Sequence, residues 1–279
     1  MAFVTPWLHL KPTVVTVYDL SFLHYPERFP KAQQLYLSTQ TQRSCQWARR
    51  IITISESGRD DIHRFWKIPL EKIDVVYPGV EARFRPFAAE EVSAFKTAQQ
   101  LPERFILHVG TLQPRKNIAT LIEAFAQLDM ADCHLVLVGG KGWLYDEIFA
   151  RVRELGVQER VHFPGYVADE ALPLWYNAAD LCVLPSVYEG FGMPLVQAMA
   201  CGTPVIASNV SAMPEAVGQA GLLFDPHDVQ ALTNGMATVL NNPEQAATMR
   251  TLGLKQAQKF SWAEAGRQTA AVYAQALAG

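Results

Sequence analysis

Apolar residues in this chain gather in short unbroken runs more often than in alternation. Residues 13–17, 51–54 and 73–77 are apolar and β-branched with little alternation, the pattern of strands covered on both faces, as in a parallel sheet. Between the first two lies a polar stretch with a helical look at 31–49. A shorter helix between the second and third is expected to open at Ser57, with Asp60 completing a capping box. The turn at Tyr77-Pro78-Gly79 and then Arg85-Pro86 ends this unit, so a boundary is placed near residue 85.

Beyond a polar helix at 90–100 the pattern becomes regular. Strand-like runs at 105–109, 134–138, 161–163, 181–184, 204–207 and 221–224 are each followed by helical or loop-plus-helical sequence. Parallel strands need crossover connections, so strand and helix taking turns predicts a doubly wound sheet. The reading is an α/β protein with a complete doubly wound parallel-sheet domain over 86–260 and a partial domain over 1–85. The first domain reads as beginning mid-fold, because three strands make a small parallel sheet. A last helix, capped by Ser261 with Glu264 closing the box, is expected to pack back on residues 1–85.

Composition narrows the class. At 49% hydrophobic and 18% charged, the 279 residues read as globular, neither disordered nor fibrous. No apolar run approaches the roughly 20 residues of a membrane span, and the start lacks a signal-peptide pattern, so the expected location is the cytoplasm. Residues 1–85 hold 12 Lys and Arg against 8 Asp and Glu, leaving the remainder 12 against 19. That asymmetry is too mild for a nucleic-acid stripe but suits contact with anionic lipid at the inner membrane face, or plain solubility. Four cysteines without CxxC or Cys/His spacing predict neither zinc nor disulfides. HExxH, GxSxG and Asp-x-Asp are absent, and no metal is expected.

Two stretches could carry chemistry. In His108-Val-Gly-Thr-Leu-Gln-Pro-Arg-Lys-Asn117, a buried strand ends, Gly110 turns the chain and Asn117 is placed to open a helix. Arg115 and Lys116 then add two cations to a helix N-terminus at the carboxyl end of a parallel strand, an arrangement suited to a phosphate pair. The plain alternative is a solvated basic turn. In Glu189-Gly-Phe-Gly-Met-Pro-Leu-Val-Gln197, two glycines let backbone amides approach a ligand and Pro194 suits a helix start. Glu189 could there accept from sugar-like hydroxyls, or be an ordinary loop acid. Gly139-Gly-Lys-Gly142 lacks Walker spacing and reads as a tight strand-to-helix turn. Trp66, Trp143, Trp175 and Trp262 read as packing residues, with Trp143 also a candidate cleft wall.

These stretches, together with Val-Val-Thr-Val-Tyr-Asp-Leu-Ser-Phe at 14–22 and segments 52–57, 75–80 and 260–273, resemble the retaining glycosyltransferases of family four. The resemblance spans nearly the whole chain and implies the GT-B architecture of two Rossmann-like domains. It implies that Arg115 and Lys116 hold the diphosphate of a nucleotide sugar. Gly110 and the amides of Gly190, Phe191, Gly192, Met193 and Leu195 would bind phosphate or donor sugar, and Glu189 the sugar hydroxyls. Gly165, Tyr166 and Val167 would flank the base. Gln197 stands where relatives carry a ribose-gripping Glu, at an expected loss of about 1 kcal/mol. Tyr18-Asp19 stands where many relatives have His-Asp, near donor sugar and acceptor.

The implied activity is transfer of a hexose to an acceptor hydroxyl with retention, in cell-surface polysaccharide or glycolipid assembly. The nucleotide sugar is a co-substrate and no further cofactor is implied. The run from Gly139 to Tyr145 looks like bacterial mannosyltransferases, so GDP-mannose leads and UDP-glucose follows. The implied partners are that donor and a glycan or lipid-linked acceptor, with no nucleic acid. The resembled family also begins with a glycine-rich βα start that does not precede residue 14 here. A misplaced start, a second chain supplying strands and a remnant all stay open at this point. So do a non-catalytic nucleotide-sugar-binding or assembly subunit and, further off, a phosphorylase or epimerase.

Overall fold

A computed structural model describes residues 4–5, 11–142 and 146–278. The chain divides into two compact units. Unit 1 is Met1–Gly79, Glu189–Phe191 and Phe260–Gly279; unit 2 is Val80–Tyr188 and Gly192–Lys259.

Unit 1 holds β1 (Val14–Val17), the short α1 (Ser21–His24), α2 (Lys31–Trp47), β2 (Arg50–Thr53), α3 (Glu56–Trp66) and β3 (Ile73–Val75). The strands lie parallel in the order β1-β2-β3, with Val15 opposite Ile51 and Ile51 opposite Ile73. The lack of alternation has its cause here, since both faces are buried. Val15, Val17, Ile51 and Ile73 pack with Phe22, Ile62 and Trp66 from the helices. On the other face Val14, Ile52 and Val76 meet Ala265 and Val272 of the last helix, Trp262–Ala278. The turn before residue 80 requires glycine, because a Cβ on Gly79 would fall 2.1 Å from the Trp262 amide nitrogen.

Two local expectations are corrected. The cap of α3 is Ser55, whose hydroxyl accepts from the Gly58 amide at 3.0 Å, and Ser57 lies inside the first turn. Trp262 is mostly exposed, not a packing residue, whereas Trp66 and Trp175 are buried. At the last helix the Ser261 hydroxyl does accept from the Glu264 amide at 3.1 Å, while the Glu264 carboxylate bonds Arg267 and Gln268.

Unit 2 runs α4 (Ala89–Ala98), β4 (Arg104–Val109), α5 (Ile118–Ala126), β5 (Cys133–Val138), α6 (Asp146–Glu154), β6 (Val161–Gly165), α7 (Leu172–Ala178) and β7 (Leu181–Leu184). It continues with α8 (Met193–Ala200), β8 (Val205–Ser208), α9 (Met213–Val217), β9 (Leu222–Phe224), α10 (Val229–Asn241) and α11 (Pro243–Ala257); the last helix, in unit 1, is α12. All six strands are parallel, in the order β6-β5-β4-β7-β8-β9. One face carries Ile106, Leu135, Leu137, Val183 and Ile206 into a core with Leu121, Phe125 and Leu232. Chain order reverses between β4 and β7, and a sheet of this kind leaves a crevice beyond the carboxyl ends of the strands at that reversal. Among the described residues all four cysteines are buried and unpaired with one another. No helix among them is long and apolar enough to cross a membrane.

Candidate active site

The loops leaving β4, β5 and β6 are tied edge to edge. The Gly110 amide donates to the Val138 carbonyl and the Gly139 amide to the Gly165 carbonyl, each at 2.9 Å. Leu112 and Gly142 exchange further bonds with Gly140 and Leu112, and Leu112 pairs with Lys141 as a one-residue parallel bridge. The Gly139–Gly142 stretch is thus a stitched extension of the sheet. A Cβ on Gly139 would sit 2.0 Å from the Gly110 oxygen, so the approach is open only to glycine. Above this floor is a cleft of about 180 Å³ bounded by Gly110, Thr111, Gly140, Tyr166, Val167 and Asp169. The Tyr166 side chain, 76% exposed, stands at its rim. Trp143 lies outside the described residues.

Arg115 and Lys116 occupy a single 3₁₀ turn, Pro114–Lys116, between β4 and α5. Lys116 is 7% exposed. A Cβ at Gly110 would meet its Cε at 3.3 Å and the Nε2 of His108 at 3.4 Å. Lys116 therefore runs back past Gly110 toward the strand end, beside a buried histidine whose Nδ1 bonds the Val183 carbonyl at 3.0 Å. Asn117 does not cap α5 through its side chain. It takes a left-handed conformation, φ 54°, and its amide group donates to the Pro226 carbonyl while its oxygen accepts from Thr120.

Arg115 joins the two loops at the reversal point. Its carbonyl accepts from the Val187 amide at 3.0 Å, and its Nη1 donates to the Tyr188 carbonyl at 2.5 Å. A guanidinium has five N–H donors in a planar fork whose geometry matches an oxyanion. The loop after β7 reaches α8 at Gly192, φ 96°, a conformation that costs glycine least. The Leu195 amide is turned inward and donates to the Gly192 carbonyl at 2.9 Å. Pro194 has no N–H, so the amides that remain for a ligand at this end of α8 are those nearest Gly192 and Met193. Gln197, one turn on, accepts from the Tyr176 hydroxyl at 3.1 Å. Burial holds the Tyr176 phenol far above its ordinary pKa, so it stays a donor. With the carbonyl end engaged, the amide NH₂ of Gln197 is the end left for other partners.

Unit 1 contains the remaining candidates. Glu189 is 8% exposed. Next to it, a Cβ on Gly190 would lie 2.6 Å from the Tyr18 carbonyl oxygen and 3.1 Å from Asp19 Cβ, so Glu189–Phe191 and Tyr18-Asp19 share one neighbourhood. Asp19 accepts from the Ser21 amide at 2.9 Å, and the Tyr18 side chain is 47% exposed. Phe191 is buried in an aromatic cluster with Tyr77 and Phe260, ring centres 5.5 and 5.1 Å away. Its ring is therefore a packing element, and a ligand would meet only its backbone.

The structure thus groups Gly110, Lys116, Gly165, Tyr166 and Val167 around the stitched loops, and Arg115 with the loop that leads to Gly192. Thr111, Asp169, His108 and Tyr176 were not singled out from the sequence. Asp169 follows the Gly165-Tyr-Val turn closely enough for loop proximity to have flagged it; Tyr176 carries no such signal. Among the described residues no group of three or more His, Cys, Asp or Glu could hold a metal ion.

A parallel sheet with loops gathered at its order reversal is a ligand-binding fold, and the family comparison gives its class. Residues 90–256 match the model of the glycosyl transferases group 1, and residues 1–84 that of glycosyltransferase family 4; the chain belongs to this glycosyltransferase family. It is 36% identical over 269 residues to the O-antigen chain mannosyltransferase B of Escherichia coli, covering 95% of this chain and 70% of that protein. It is 29% identical to the serotype-specific mannosyltransferase WbdA of the same organism, covering 92% of this chain and 32% of WbdA. Among solved structures, HepE of Anabaena in complex with UDP-glucose superposes with a TM-score of 0.83 at 25% identity, over 95% of this chain and 72% of HepE. Sucrose-phosphate synthase of Thermosynechococcus elongatus gives 0.80 at 30% identity, over 95% and 68%. The fold is GT-B-like.

Proposed function

We propose that the protein transfers a hexose, mannose from GDP-mannose before glucose from UDP-glucose, to an acceptor hydroxyl with retention, in the assembly of a surface polysaccharide or glycolipid. The supporting observation is the Arg115 clamp. One residue ties the β4 loop to the β7 loop, through its carbonyl and its guanidinium, and so fixes a cation at the order reversal. The mannosyltransferase names of the E. coli relatives support the sugar.

In this reading the bond from the anomeric carbon to the diphosphate oxygen breaks as the acceptor oxygen bonds that carbon from the same face. The acceptor proton passes to the leaving diphosphate. Negative charge grows on that diphosphate, where Arg115, Lys116 and the start of α8 stabilise it. Glu189 and the backbone from Gly190 to Met193 take the sugar, the Gly165–Val167 turn flanks the base, and the Gln197 NH₂ donates to a ribose oxygen. Tyr18 and Asp19 serve the acceptor side. The setting is the cytoplasm, at the inner membrane face if the acceptor is lipid-linked.

The test is turnover of GDP-mannose and of UDP-glucose by the full chain, with the product anomer read by NMR. Arg115→Ala should lower kcat by about 10²- to 10³-fold, the scale of one lost oxyanion donor. Full turnover in that variant would overturn the assignment. Donor binding with no turnover in the parent chain would return the non-catalytic alternative.

A further inference from the structure

A larger cavity, about 410 Å³, lies within unit 2 at the other end of the same sheet, where β4, β7 and β8 begin. Three cationic side chains line it, Lys96, Arg104 and Arg250, against one carboxylate, Asp180. Lys96 Nζ donates to the Glu103 carbonyl at 2.6 Å, and Arg104 donates to the Leu240 carbonyl. Neutral carbonyls orient these cations without cancelling their charge. The Asp132 carboxylate pairs with Arg104 at 3.4 Å, and Asp180, which accepts from the Phe105 amide at 2.9 Å, lies within electrostatic reach of Lys96 and Arg104, so the charge left over is that of Arg250. The Arg250 side chain makes no hydrogen bond or ion pair with any described residue. The first turn of α11, from Pro243 to Ala246, adds the positive end of a fifteen-residue helix. The rest of the lining mixes Asn177 with apolar Val92, Val239 and Ala247.

A cavity of this size, lined by three cations against one carboxylate and by some aliphatic surface, suits an oxyanion carried on a small organic body. We propose that it binds a small organic phosphate, at a site separate from the donor loops and independent of the transferase reading.

Phenyl phosphate is the probe, titrated into the full chain by calorimetry, with inorganic phosphate and phenol as its two halves. Saturable phenyl phosphate binding is expected, tighter than either half. Arg250→Ala should weaken it at least tenfold and Arg250→Lys, which keeps the charge, by much less. The titration is repeated with Arg115→Ala, because the β4 loop also suits phosphate. Binding that survives Arg115→Ala and falls with Arg250→Ala supports the site. Binding lost with Arg115→Ala and unchanged with Arg250→Ala overturns it, as does the absence of saturable binding. Should Arg250→Ala lower the unfolding temperature, Lys96→Gln provides the same comparison.

Discussion

Single residues set the candidate site through what they exclude as much as through what they donate. Gly190 admits no Cβ against the Tyr18 carbonyl, so Gly190→Ala must displace backbone. A loss of about 1–3 kcal/mol in urea unfolding is expected, the usual cost of overpacking; an unchanged midpoint would show that the loop yields freely. Tyr176→Phe removes the hydroxyl that bonds the Gln197 side-chain carbonyl and should cost about 1 kcal/mol. If that bond also aims the Gln197 amide, donor KM rises in the same variant while kcat holds. The sequence displayed Arg115, Lys116 and both glycine loops because their residue types are unusual together. It could not display the Tyr188 carbonyl or Tyr176 as partners, since those bonds span 73 and 21 residues and depend on the packed sheet.

At the level of helices and strands, the start of α3 shows where local rules ran short. Ser55 and Ser57 both suit a cap, and only the chain's direction out of β2 selects Ser55. Ser55→Ala should destabilise by about 1 kcal/mol, with Ser57→Ala much milder, as thermal unfolding of the two would reveal. Strands β5 and β6 bring His134 Nδ1 to 2.8 Å from His162 Nε2. Burial, and then His134, hold the His162 imidazole below its ordinary 6.5. The folded state therefore binds fewer protons than the unfolded one, and stability falls as pH drops below about 6.5. Melting temperatures measured from pH 7.5 to 5 should decline, and His162→Gln should flatten that decline; parallel curves would refute it.

For the molecule as a whole, alternation of strand and helix was plain in the residues of unit 2, because buried parallel strands are apolar throughout. The order β6-β5-β4-β7-β8-β9 was not, because register and neighbours are decided by long-range packing. The order matters most for function, since the reversal places the β4 and β7 loops side by side. Under the proposed function a nucleotide held there binds only folded protein, so GDP at a hundred times its Kd should raise stability by about 2.7 kcal/mol. Arg115→Ala should erase most of that gain. A gain of equal size in the variant would place the nucleotide elsewhere.

The glycine seam joining β4, β5 and β6 has a bearing on any attempt to retune this protein. With Gly139 pressed on the Gly110 oxygen, the cleft's base is written in main chain, which substitution cannot edit without tearing the seam. Variation in what the cleft accepts falls to the side chains at its margin, polar Thr111, Tyr166 and Asp169 first among them, and libraries aimed at altered preference would be best begun at those positions.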